Sequence, residues 1–206
     1  MSERRFLEPA AKQRATEVVR AIERETAVEV VVTVKKASGR YLGTSLAFGA
    51  ACALAGFAVM WLSPQIYDVR TMPLDAALAF ALGTGLAASV TGLRRVLTPA
   101  AFRRARAERA ARATFAELGL AKTRGRTGLL VYVGLFERAV LLVPDSGIPA
   151  ALVSGPLAGL RETLELSLRN GDLDGFLAAL GRLGPACGAA LPRLADDENE
   201  LCDDVA

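Results

Sequence analysis

Two long uncharged stretches constrain this chain more than any other feature of its sequence. No charged residue occurs between Tyr41 and Tyr67, and within that stretch Leu42–Leu62 is long enough, at the helical rise, to cross a bilayer core of about 30 Å. A second uncharged run covers residues 76–93 after a short polar connection. The sequence therefore predicts a transmembrane helical hairpin over residues 41–93, with helices at 41–62 and 74–93.

The alternative interpretation is a buried helical hairpin of a soluble protein, which is disfavoured because soluble core helices seldom carry two such runs in succession. Small residues recur at about every fourth position in both runs, and in lipid such ridges let two helices approach closely. We expect two ridges to face each other: Gly49, Cys52, Ala53 and Gly56 in the first helix, and Ala77, Ala81, Gly85 and Ser89 in the second. Neither helix carries an internal ionisable residue, which argues against a transporter or a channel.

The distribution of positive charge predicts an orientation. Residues 1–40 hold nine Lys and Arg, the connection 63–73 holds only Arg70, and residues 94–126 hold ten. Because basic loops stay in the cytoplasm, we expect a multi-pass protein of the cell inner membrane with both termini cytoplasmic. Trp61 and Tyr67 near one face and Tyr41 near the other suit interfacial anchors. Six carboxylates in residues 195–206 predict a solvated acidic tail.

Composition excludes several function classes. The chain has no His, which removes imidazole-dependent triads and His-ligated zinc or haem sites. Its three cysteines lie too far apart for a zinc knuckle or a CxxC motif, and an odd number does not suggest a disulfide framework. Only 23% of residues are charged and the net charge is +3, so the chain is not disordered. No cofactor is predicted from these residues.

The segments around the helical hairpin predict one α/β domain. A helix over residues 8–25 leads into a β-branched strand at 27–34, and a β-hairpin follows the membrane segment, with strands at 127–135 and 139–143. Helices are expected at 98–120, 156–169 and 172–191. The first strand must pair with the β-hairpin across the insertion, so we predict a discontinuous cytoplasmic domain, residues 1–40 and 94–206. Its expected fold is a small mixed sheet flanked by helices.

The helix at 98–120 is rich in arginine and has two interpretations. Its side chains can lie along anionic lipid headgroups, or they can form a plain solvated face of a domain helix. Interleaved aromatic residues are missing, so we expect no nucleic-acid partner. The partners to be expected are the membrane, anionic lipid at this helix and another membrane protein.

The order and wording of several segments resemble the TPM-domain family, in particular its membrane branch in which a transmembrane hairpin interrupts the domain. The matching segments are ETAVEVVV (25–32), TRGRTGLLVYV (123–133), LFER (135–138), VPDSGI (143–148) and NEL (199–201). The resemblance implies an α/β sandwich. In other branches it implies roles in photosystem repair, in regulation of receptor complexes and in an acid-phosphatase-like activity with acidic metal-binding residues. Unlike those branches, this chain has the charge pattern of a cytoplasmic domain.

Three residues are candidates for a ligand site. Asp145 matches the family's acidic position after the second strand of the β-hairpin, so the resemblance implies a ligand-binding or metal-binding role for it. Arg126 and Arg138 flank the same β-hairpin and suit an anion, while turn capping and surface ion pairing remain the alternative for all three. Residues 170–175 resemble the start of a calcium loop, but Gly181 stands where its bidentate acid is required, so helix termination and capping explain them better.

Two functions remain open from the sequence. We favour a membrane-anchored cytoplasmic module, more an interaction or regulatory protein than an enzyme, which binds or assists another membrane protein. The alternative is a phosphatase-like hydrolase whose acidic loop binds a divalent cation through Asp145. A hydrolase should bring Asp145 together with a second carboxylate, whereas a binding module should present an exposed groove or an apolar patch.

Overall fold

The computed structural model of the chain describes residues 2–63, 68–123 and 125–193, and the side chains from Arg5 onwards within those ranges. The chain folds as two compact units. The first, here called the α/β unit, joins the residues up to Ser38 to those from Arg104 onwards, and the second, the helical unit, is Gly39–Arg103. The predicted acidic tail, the NEL match and the Tyr67 anchor lie outside the described residues.

The described chain is mostly helical, with a small sheet. Its elements in chain order are α1 (Pro9–Glu25), β1 (Glu29–Lys35), α2 (Leu42–Leu62), α3 (Met72–Ser89), α4 (Thr91–Leu97), α5 (Ala100–Glu117), β2 (Gly128–Gly134), β3 (Ala139–Pro144), α6 (Ala150–Ser154), α7 (Pro156–Asn170), α8 (Leu173–Gly181) and α9 (Leu183–Gly188). Short 3-10 turns precede α1 and β2.

The sheet has three strands in the order β1-β2-β3. Strand β1 pairs with β2 in parallel, with Val32 opposite Val131, and β2 pairs with β3 antiparallel, with Val131 opposite Leu142. The predicted small mixed sheet flanked by helices is confirmed. β1 and β3 are its edges, and a glutamate from a helix accepts a backbone N–H on each: Glu23 from Val30 and Glu165 from Val140.

Alternation along the strands divides the core of the α/β unit between the two faces of the sheet. Val30, Leu129 and Val131 point to the face that packs against α1 and α6–α9. The opposite face carries Leu130 and Tyr132, together with the alanines of α5 and other side chains: Val31, Ala107, Ala111, Leu120, Ala139 and Leu141. Helix α5 therefore contacts this face through the side chains of Ala107 and Ala111.

Two predicted helices end earlier than expected, for local reasons. The helix predicted over residues 172–191 is divided into α8 and α9, because Pro185 has no N–H to donate to the carbonyl of Gly181. Helix α3 ends at Ser89 rather than residue 93, since Val90 has extended backbone angles and α4 starts anew after it. The predictions also lacked the short helix α6.

In the helical unit, α2 and α3 pack through small residues. Gly49 is buried, and a Cβ placed there would lie 2.6 Å from the carbonyl oxygen of Phe80. A Cβ on Gly83 would lie 2.8 Å from the Cys52 Sγ, so both glycines allow the close approach. The ridge predicted for α2 is therefore confirmed. The ridge predicted for α3 is wrong: its four residues are exposed, and the contact runs along positions offset by two residues, through Gly83 and Ala87.

The large apolar side chains of α2 and α3 point outward. Leu42–Leu62 has a mean hydropathy of 1.9 and Met72–Ser89 one of 1.3 in their most apolar windows, and only 11% of each window is buried. Side chains such as Leu54, Trp61 and Leu82 are between 65% and 76% exposed. Both helices are therefore long and apolar enough to cross a membrane, and neither is buried as the core helix of a soluble protein would be.

Candidate binding groove

The structure brings together only two of the three residues predicted for a site. The backbone N–H of Asp145 donates to the carbonyl of Gly128, which places Asp145 beside the start of β2, and the Arg126 carbonyl accepts the N–H of Gly147 in the same region. Arg138 lies in the turn between β2 and β3, at the other end of a strand about 20 Å long. Arg138 is therefore too distant to share one small ligand with Asp145.

Asp145 has one oxygen engaged and one free of hydrogen bonds. Its Oδ1 accepts the backbone N–H of Ser146 at 2.7 Å, whereas its Oδ2 is buried and has no hydrogen-bond partner. Within the described residues no group of three or more Cys, Asp or Glu is placed to hold a metal ion. Residues 170–175 serve the helices, as expected: Gly171 ends α7 in the left-handed conformation, and the Asp172 carboxylate accepts the Gly175 N–H at 2.9 Å.

Both candidate arginines occupy strained backbone positions. Arg126 has φ 51° and Arg138 φ 52°, in the left-handed region that L residues other than Asn and Asp seldom adopt. The turn at Arg126 leaves no room for a side chain at position 147, because a Cβ on Gly147 would lie 2.6 Å from the Arg126 carbonyl oxygen. These residues thus belong to tight turns at the two ends of the β-hairpin, whatever their side chains bind.

A groove of about 300 Å³ lies along the free edge of β3. Its apolar lining comes from three elements of the α/β unit: Leu141, Leu142 and Pro144 of β3, Val153 of α6, and Leu157 and Ala158 of α7. Three charged side chains complete it: Arg104 and Glu108 from α5, and Arg161 from α7. The groove therefore lies between the two helical layers, and the edge strand forms its floor.

The backbone of β3 is available on this side at Leu142. In an antiparallel pair, alternate residues turn their N–H and C=O groups to the partner strand and away from it. Two hydrogen bonds show which residues of β3 face β2. The Asp145 N–H donates to the Gly128 carbonyl, and the Val140 N–H donates to Glu165 instead of to β2. Val140, Leu142 and Pro144 therefore turn their backbone groups away from β2. Glu165 occupies the Val140 N–H, and proline has no N–H. Leu142 therefore offers the one outward N–H of the three for a further strand.

The charged side chains of the groove differ in their partners. Arg104 Nε lies 3.4 Å from Glu108 Oε1, one helical turn away, and both side chains are nearly half exposed. Arg161 is half-buried, and it forms no ion pair with the residues that the structure describes. The lining thus has two positive charges and one negative charge. The positive charge of Arg161 is the one without a counter-charge in the lining, and it is beside the apolar surface of Leu157 and Ala158.

A polar cluster at the far end of β2 was not predicted. The Tyr132 hydroxyl donates to Ser38 Oγ at 3.0 Å, and the Ser38 N–H donates to Glu137 Oε1 at 2.8 Å. Burial raises the pKa of Tyr132, with a smaller contribution from the Glu137 carboxylate, so the hydroxyl stays protonated and can donate. A Cβ on Gly134 would lie 2.7 Å from Glu137 Oε2, which explains the glycine. These hydrogen bonds attach Ser38, three residues after the end of β1, to the β-hairpin.

Comparison with known proteins bears only on the fold. No family model and no curated protein matches the chain. Among solved structures, it is similar to the BA42 protein from the psychrophilic bacterium Bizionia argentinensis, determined by NMR, with a TM-score of 0.58. The two chains are 15% identical, and the similarity covers 98% of this chain and 94% of that one.

Proposed function

We propose that the protein is a membrane-anchored interaction module: α2 and α3 span the inner membrane, and the α/β unit binds another membrane protein through the groove along β3. The groove is the observation that carries the proposal, because a binding module should present an exposed, partly apolar surface. Where the structure describes them, the segments 25–32, 123–133, 135–138 and 143–148 that resemble the TPM-domain family fall on β1, β2, the end of β3 and the turns beside them, and they support a TPM-like identity for the α/β unit.

The membrane part of the proposal is supported by the outward apolar side chains of the helical unit. Leu62 and Leu74 are 80% and 70% exposed, a cost of about 25 cal/mol per Å² in water that disappears in hydrocarbon. The basic residues on both sides of the helical unit, with only Arg70 in the connection, support cytoplasmic termini. Arginines of α5 such as Arg109 and Arg112 are exposed and suit anionic headgroups.

Cysteine accessibility tests the orientation. In a chain whose native cysteines are replaced by Ala, single cysteines are introduced at Asp68, in the connection, and at Asp197, in the acidic tail. We expect a membrane-impermeant maleimide added to intact cells to label the first and not the second. Labelling of the second from outside would place the termini on the wrong side for this proposal.

Photocrosslinking tests the interaction in native membranes. A photoreactive amino acid in place of Arg104 lies at the exposed rim of the groove, whereas one in place of Arg112 lies on an exposed part of the same helix outside the groove. We expect a discrete adduct with another membrane protein from position 104 that is absent from position 112. Equal adducts at both positions, or none at 104, would contradict an interaction through this groove.

The hydrolase alternative keeps one supporting observation, the buried Asp145 Oδ2 without a hydrogen-bond partner. A divalent cation would need more ligands than this carboxylate. We expect Asp145→Asn to leave any phosphate-ester hydrolysis by the purified protein within an order of magnitude. A metal-dependent rate above background that collapses in this variant would instead favour the enzyme.

A further inference from the structure

We infer that the groove along β3 recognises an extended segment of a partner polypeptide, carrying an aliphatic side chain and, two residues away, a carboxylate. The inference rests on the proposed interaction function and adds the chemistry of its partner. The aliphatic side chain enters between Leu157 and Ala158, and the carboxylate pairs with Arg161. The main chain of the segment pairs with β3 at Leu142.

The backbone of the edge favours an extended partner. Leu142 turns both its N–H and its C=O into the groove, and Val140 and Pro144 add two carbonyl acceptors. A strand laid against β3 satisfies these groups in the way that sheets are commonly extended by a peptide. A helix has a diameter of about 10 Å and no free N–H groups along its side, so it would leave Leu142 unpaired.

The apolar lining favours one or two aliphatic side chains. Ala158 faces the groove between larger residues, and its short side chain leaves the space. About 300 Å³ is at the small end of ligand pockets and accommodates one or two side chains of the size of leucine. Burial of an aliphatic side chain in such a site removes its apolar surface from water, which favours binding.

The charge favours a carboxylate at a defined spacing. Arg161 is one helical turn from Leu157 and three residues from Ala158, so it lies about 5–6 Å along α7 from the apolar part of the groove. Residues i and i+2 of a strand lie on one side and are about 7 Å apart. A segment with Leu at one position and Glu two residues on can therefore place both groups, and a half-buried guanidinium prefers an ionised partner.

Peptide binding to the full-length protein in detergent micelles tests this inference by fluorescence anisotropy. The probe is a labelled seven-residue peptide of Ser and Thr with one Leu and one Glu two residues apart. Three peptide controls change a single property each: Glu replaced by Lys, Leu and Glu placed next to each other so that they lie on opposite sides, and the backbone N-methylated at the Glu and at the residue before it, so that an N–H facing β3 is lost in either strand direction. We expect each control to bind at least about tenfold more weakly than the probe.

Variants of the protein locate the binding site. Arg161→Glu should weaken the probe at least about tenfold and should improve the Lys-containing peptide. Arg112→Glu, with the same change of net charge on an exposed face of α5 outside the groove, should leave the probe within about twofold. Ala158→Phe should abolish binding by filling the groove, and thermal unfolding of each variant verifies that it is folded.

Three results would overturn the inference. Equal binding of the Glu and Lys peptides would show that the groove does not recognise a carboxylate. Equal binding of the peptides with the two spacings would show that the bound segment is not extended. Displacement of the probe by a peptide of residues 195–206 would assign the groove to the chain's own acidic segment instead of a partner. In each case the crosslink at position 104 and the membrane orientation are measured separately, so the proposed function is judged on its own result.

Discussion

The α/β unit and the helical unit bury opposite kinds of side chain. In the α/β unit, Leu129, Leu164 and Leu180 are completely buried. In α2 and α3 of the helical unit the buried positions are small, with Gly49 and Gly83 at the contact between the helices and most of the large side chains outside. The difference follows from the proposed solvent of each unit: water drives large apolar side chains inward, whereas hydrocarbon does not, and helices in lipid associate through close backbone packing.

Removal of the helical unit is the strongest test of this comparison. Residues 1–38 joined by a flexible Gly/Ser linker to residues 97–206 should give a water-soluble protein, because the α/β unit buries its own core and loop closure costs little more for a longer linker. We expect mixed helix and strand content by circular dichroism and a cooperative thermal transition. A chain that stays aggregated would mean that the two halves of this unit depend on the helical unit or on a partner.

A large-to-small substitution should be costly only in the α/β unit. Leu164→Ala empties a completely buried position on α7 and should lower the free energy of unfolding by about 2–5 kcal/mol, whereas Leu166→Ala, at a position 60% exposed on the same helix, should change it by less than about 0.5 kcal/mol.

Alkylation of Cys187 measures this difference in the full-length protein. The Cys187 thiol is completely buried in the same core, and burial raises its pKa to about 11, so at pH 8 it reacts only when the unit opens. Alkylation should be at least about 30-fold faster in Leu164→Ala and nearly unchanged in Leu166→Ala. Similar rates in the two variants would contradict the core described above.

A small-to-large substitution should be costly in the helical unit. Gly83→Ala forces a Cβ to 2.8 Å from Cys52 Sγ and should destabilise the helix pair by about 1–3 kcal/mol, while Gly85→Ala meets nothing within 4 Å and should be neutral or stabilising. Trp61 is the one tryptophan of the chain and lies in α2, so its fluorescence during SDS titration reports this unit. If Gly85→Ala were the damaging variant, the ridge predicted from the sequence would be right after all.

Loss of one hydrogen bond in the polar cluster should have the smallest effect. Tyr132→Phe removes the donor to Ser38 Oγ and should cost about 0.5–1.5 kcal/mol at pH 7, measured by thermal unfolding. Because the folded-state pKa of Tyr132 is raised, this tyrosine contributes its full stability below its ordinary pKa of 10 and loses it as the pH rises towards the folded value. The wild type should therefore lose its advantage over the variant above about pH 10. A constant difference from pH 7 to 11 would contradict the raised pKa.

The site shows how far local patterns reach. Pro144 at the end of a short apolar strand already indicates an edge strand, since proline cannot donate to a central ladder. The sequence pattern does not predict that Arg104 and Arg161 line the same groove. They are more than fifty residues apart in the chain, and they lie near each other only because α5 and α7 cover opposite faces of the sheet beside its edge. For the same reason Arg126 and Arg138, close in sequence, are separated by the length of β2.

The sequence alone determined what depends on periodicity and on single residues: two apolar helices, three strands of which two form a β-hairpin, and a helix end at Gly171. These follow from near-neighbour interactions that a short window contains. Only the tertiary structure decided which of two small-residue ridges on α3 meets α2, because Ala77–Ala81–Gly85 and Ala79–Gly83–Ala87 are equally small, and the choice depends on what lies opposite, at Gly49. It also decided the groove, since a surface between two layers belongs to no single segment of the chain.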